Sequence, residues 1–212
     1  MANQIVDLKK ELYPVSSFCS PATMIMDRSL HKAAYLIAKK HGQLMTNKPT
    51  DISLDNFTMV NFSPELLNNF LNPDGALRDI YVENTSIKDW ENILDIFKKS
   101  DFSINYFIDE IESNLPANVS SLFTNSQNSV RLQLKKETII INTYLFLNDQ
   151  IEFDIDPRDF VTEEQHSVIF EFLKLLSDAT NKTIILCEEN SADTPFLILL
   201  PDKNVYISRI RF

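Results

Sequence analysis

The segment IEFDIDPRDFVTEEQ, Ile151 to Gln165, concentrates acidic side chains: Glu152, Asp154, Asp156 and Asp159, followed at once by Glu163 and Glu164. Carboxylates at such spacing can ligate a cation, relay protons or present negative charge to a partner. The run DIDPRD has the alternating acids of a calcium loop. Such loops also need a glycine at the sharp turn and a bidentate Glu at the end, and here Pro157 and Arg158 occupy the middle. A metal-dependent hydrolase would add His or a distant third acid. A glycosidase-like pair is disfavoured because the chain has one Trp and no aromatic cluster around its acids. No catalytic residue, metal ligand or cofactor is assigned.

Other reactive residue types are sparse. Gly42 and Gly75 are the only glycines, so phosphate loops, dinucleotide fingerprints and nucleophile elbows, which use glycine for close backbone approach or positive φ, cannot be written. The three histidines are His31, His41 and His166. Neither His31 nor His41 has a Cys or carboxylate partner at zinc spacing; His166, just past a capping box, is expected to face solvent, and nothing selects a dyad of it with Cys187. Cys187 alternates with apolar neighbours in IILCEEN and reads as a buried strand residue. With only Cys19 and Cys187, far apart in sequence, reduced thiols are expected.

The elements that would position the acids follow from periodicity. In IEFDI, Ile151, Phe153 and Ile155 face one way and Glu152, Asp154 and Asp156 the other, the pattern of a half-buried strand. Thr162 and Gln165 form a capping box. Glu163 and Glu164 lie in a first helical turn that favours negative charge, ahead of the buried stripe Ile169, Phe172, Leu173 and Leu176. KTIILCEEN, PFLILL and VYISRIRF read as closing strands, the last two joined through PDKN. Upstream, LRDIYVEN reads as a strand, TSIKDWENILDIFKKS as a helix with Ile87, Trp90, Ile93, Leu94 and Phe97 inward, and DFSINYFID as a strand. VRLQLKKETIIINTYLFL offers two more. Two strand–helix–strand units, at about 78–109 and 151–189, make the expected class α+β, with a largely antiparallel sheet and packed helices.

Before Gly75 the pattern is less regular. DRSLHKAAYLIAKKH, residues 27–41, reads as a helix, and PELLNNFL as a short one entered through Ser63. The expected division is an N-terminal, partly helical extension or subdomain at 1–74 and an α+β domain at 75–212. A loop inside one domain at Pro73 to Gly75 is the alternative.

The chain has a net charge of −10. Residues 1–50 hold seven Lys or Arg against three acids, and residues 51–212 hold thirteen against twenty-seven. An acidic body repels phosphate backbones and draws basic partners, so nucleic acid is not expected. The start, MANQIVDLKKELYP, lacks the long apolar run of a signal peptide, and AAYLIA is far shorter than a membrane span of ~20 residues. The expected location is the cytoplasm, with no membrane partner. VYISRIRF ends in Phe212 as a last outer-membrane barrel strand does, but the missing signal and the upstream helices argue against that reading. The uniform sign of Glu152, Asp154 and Asp156 leaves two readings open. It is a solvated strand face, or a face neutralised by something positive, either the basic N-terminal segment or another protein.

Two stretches together, LRDIYVENTSIKDWENILDIF (77–97) and IEFDIDPRDFVTEEQHSVIFEFLKLLSDATNKTIILCEEN (151–190), resemble bacterial immunity proteins encoded beside polymorphic toxins. The resemblance covers residues 75–212. Where a glycine-rich end to the second helix would be expected, this chain has SDATNK. The resemblance implies a protein that binds and neutralises a cognate toxin domain, expected to be basic, with no catalysis of its own. The implied contact surface is Asp149, Glu152, Asp154, Asp156 and Asp159, with Glu188, Glu189 and Asp193 at the end of a neighbouring strand. A secretion chaperone or adaptor binding an effector segment is the alternative, and a hydrolase using the acidic loop comes third.

Overall fold

The computed structural model describes residues 52–123, 128–145 and 149–209. The helix read at 27–41, His31, His41, Cys19 and the final residues of VYISRIRF lie outside them.

The described chain forms one antiparallel ten-stranded sheet and three α-helices. The strands are β1 (Phe57–Val60), β2 (Arg78–Glu83), β3 (Ser103–Ile108), β4 (Ile111–Ser113), β5 (Val130–Lys136), β6 (Ile139–Thr143), β7 (Gln150–Ile155), β8 (Ile184–Glu188), β9 (Leu197–Leu199) and β10 (Val205–Ser208). The helices are α1 (Pro64–Leu67), α2 (Ile87–Lys98) and α3 (Glu163–Thr180). Across the sheet the order is β1-β10-β9-β8-β2-β7-β6-β5-β3-β4. The α+β class and its two strand–helix–strand units are as the sequence pattern indicates.

In both units the two strands point the same way but are not neighbours. β2 pairs antiparallel with β7 on one side and β8 on the other, filling the gap left by the β7–α3–β8 crossover. β7, β6 and β5 fill the gap between β2 and β3. This is a split arrangement, in which each helix carries the chain over strands supplied from elsewhere in the sequence.

Local signals fix the helix ends. The Asp89 carboxylate accepts from the N–H and hydroxyl of Ser86 at 2.8 and 2.7 Å, closing the first turn of α2. Gln165 Oε1 accepts from the Thr162 N–H at 2.9 Å, and the Gln165 N–H donates to Thr162 Oγ1 at 3.4 Å. At the other end of α3, Asn181 adopts the left-handed conformation (φ 50°) and its N–H donates to the Ser177 carbonyl. Asn181 thus does in SDATNK what glycine usually does at a helix stop.

The helices bury one face of the sheet. Trp90, Ile93, Leu94 and Phe97 of α2 and Ile169, Phe172, Leu173 and Leu176 of α3 pack with Ile80, Val82, Ile151, Phe153, Ile155, Ile184 and Leu186. Phe172 is central, edge-on to Phe153 at 5.1 Å and stacked with Phe97 at 5.4 Å. Removing such a ring costs about 3–5 kcal/mol.

The expected division at residue 74 is corrected. β1 pairs with β10, Leu67 and Leu71 enter the same core, and residues 52–74 belong to the same compact unit as the rest of the sheet. Arg78 secures this junction. Its guanidinium donates to the carbonyls of Phe70, Asn72, Ala76 and Leu77 and to both oxygens of Asp74. NPDG is a loop folded around that side chain.

Candidate functional site

The acids singled out in the sequence lie on β7 and just beyond it. Ile151, Phe153 and Ile155 are fully buried against the helices, as the alternation implies. The opposite face departs from the expectation of a solvated acidic surface. Asp154 is only 5% exposed and Glu152 is half-buried. β7 lies between β2 and β6, and the acids on its side away from the helices are engaged by side chains of both neighbours, Glu152 by Tyr81 of β2 and Asp154 by Asn142 of β6.

That second face carries an ordered polar row. In register across six strands stand Asn105 (β3), Gln133 (β5), Asn142 (β6), Asp154 (β7), Asp79 (β2) and Cys187 (β8). Asp79 is 0% exposed and directly opposite Asp154. Cross-strand like charges repel, so hydrogen bonds have to hold this pair. The Tyr81 hydroxyl lies 2.9 Å from Asp79 Oδ2 and 3.2 Å from Glu152 Oε1. The Asn190 N–H donates to Asp79 Oδ2 at 2.8 Å. Asn142 Nδ2 donates to Asp154 Oδ1 at 3.4 Å, while Asn142 Oδ1 accepts from Arg131 at 3.1 Å. Arg131 stacks over Phe107, 4.2 Å from its centroid, and is paired with Glu110 at 2.6 Å.

Electrostatics agrees with a structural use of these groups. Burial first, then the charges of Asp79 and Glu152, push the Tyr81 phenol far above its ordinary range, so it remains a donor. Beside it, Tyr81, Ile185 and Cys187 form a second apolar cluster with Ile52 and Ala192. Cys187 is fully buried, as its strand pattern indicates.

The other contact residues separate into two groups. Asp149 is exposed at the start of β7, about 24 Å of extended chain from Asp156 at ~3.4 Å per residue. Asp156 caps the 3-10 turn Pro157–Asp159 and pairs with Arg158, so its charge is neutralised within its own loop. Asp159 is half-buried. Burial first, then the Asp156 charge, raise its pKa above the ordinary carboxylate range against the pull of Arg158. Glu188 and Asp193 are exposed and Glu189 is half-buried. β8 is not the immediate neighbour of β7, because β2 intervenes. Even so, Glu188 and Ile155 are both register partners of Arg78, which puts both strand ends at one end of the sheet.

His166 also departs from expectation. It is 8% exposed, its ring is 6.1 Å from that of Phe160, and Nδ1 has no hydrogen-bond partner among the described residues. Among the described residues, no group of three or more His, Cys, Asp or Glu is arranged to hold a metal ion.

Sequence reasoning missed Asp79 and Tyr81. The signal was present: RDIYVE alternates as IEFDI does, placing Asp79, Tyr81 and Glu83 on one face. What was lacking was the knowledge that the two strands are neighbours. Comparisons with family models, curated proteins and solved structures find no match to this chain. Among the described residues, no helix is long and apolar enough to cross a membrane.

Proposed function

We propose that this chain is a non-catalytic immunity protein that binds and neutralises a cognate toxin domain in the cytoplasm of the producing cell. The observation that carries the reading is how the acids are distributed. Asp79, Glu152 and Asp154 are tied into internal hydrogen bonds, which makes them poor candidates for binding and turning over a substrate. Glu188 and Asp193 reach solvent, with Glu189 half-buried between them in sequence and Asp159 in the loop after β7, at the end of the sheet where β7 and β8 flank β2. The two outer strands there are separated by two inter-strand spacings, about 10 Å. The loop after β8 is fixed by the Asn190–Asp79 bond, so its charges are held in place. A basic toxin domain would be steered to such an end and docked by charge complementarity.

The test is a pull-down with the product of the neighbouring reading frame, repeated with Glu188→Lys plus Asp193→Lys. The double reversal is expected to weaken binding about tenfold at low salt, with the difference shrinking as salt screens it. Unchanged affinity would remove these residues from the interface, and no binding by the native chain would remove the reading itself. A chaperone or adaptor reading is favoured by one feature, β1, which among the described residues is one of the two outermost strands and where Met59 is 61% exposed. Sheet-edge recognition of an extended segment would use such a strand. Co-purification of a client's N-terminal segment alone would select it.

A further inference from the structure

We draw no further inference here: the strongest candidate, the buried row of Asp79, Glu152 and Asp154 around Tyr81 on the sheet face away from the helices, belongs to the site already described and is an acidic cluster for which no independent observation points to a ligand.

Discussion

Replacing Arg78 should show that backbone carbonyls, more than an ion pair, account for what this side chain contributes. The guanidinium is 4% exposed, whereas its partner Asp74 is 49% exposed and can be rehydrated. Losing that half-solvated pair costs ~0–1 kcal/mol. The larger part comes from the carbonyls of Phe70, Asn72, Ala76 and Leu77, which lose a common donor, and from the Phe196 ring beneath the guanidinium at 5.6 Å. At roughly 1 kcal/mol per hydrogen bond, Arg78→Ala should cost about 3–5 kcal/mol. Arg78→Lys keeps the charge but not the planar fork and should cost about 1–2 kcal/mol. Asp74→Asn should cost less than about 1 kcal/mol. Urea denaturation of the full chain measures all three, and at ~2–4 °C per kcal/mol the alanine variant should melt roughly 10 °C lower. If Asp74→Asn proved as damaging as Arg78→Ala, the ion pair would be the source and the carbonyl clamp would be refuted. If Arg78→Ala were neutral, the loop at 70–77 would not be held by this residue at all.

Other outcomes follow from the second face of the sheet and from the start of α3. Tyr81→Phe removes the hydroxyl between Asp79 and Glu152 and should cost about 1–2 kcal/mol in denaturant titrations; a neutral result would mean that the phenol does not help hold the acids. The raised pKa of Asp159 means the fold favours its protonated form. Its contribution is therefore fully present below the unfolded value near 3.8 and is lost as pH rises through the folded value. Asp159→Asn should accordingly stabilise the protein at neutral pH, with the gain fading below about pH 4; a gain that persisted unchanged at pH 3 would contradict the sign. His166→Leu removes a buried polar atom that lacks a partner among the described residues. It should leave the melting temperature unchanged or raise it, and a loss above about 1 kcal/mol would show that Nδ1 is satisfied in solution.

Local structure was readable because it depends on near neighbours. The Thr162 cap, the inward stripes of α2 and α3, and the buried set Ile151, Phe153 and Ile155 all follow from spacing within a few residues. The candidate surface was less readable because it depends on pairing between distant segments. Alternation in IEFDI shows that two faces differ, but not whether the polar one meets water. That depends on which side chains of β2 and β6 stand beside the acids. Asp154 faces Asp79, 75 positions earlier in the chain, and no local pattern encodes that. His166 was misjudged for a related reason. Position in the first turn of α3 suggests exposure, but the His166 ring is buried, with that of Phe160 6.1 Å away. The scarcity of glycine argues against phosphate loops. It did not foretell that left-handed positions would be filled by Asn84, Asp109, Glu110, Glu137, Asn181, Asn190 and Lys203.

The insertion of β2 between β7 and β8 bears on how the chain is made. Tyr81 meets Glu152 across 71 positions, and Asp79 meets Cys187 across 108. During synthesis, β2 therefore emerges with neither lateral partner yet translated. At ~5–20 residues per second, roughly 5–20 s pass before β8 follows it. Until β7 emerges the apolar centre of β2, Ile80–Tyr81–Val82, has two unsatisfied edges, and from then until β8 it has one, the condition under which strands pair with the wrong chain. The delay before β2 is paired is thus a property of the strand order itself and is independent of how stable the finished sheet becomes.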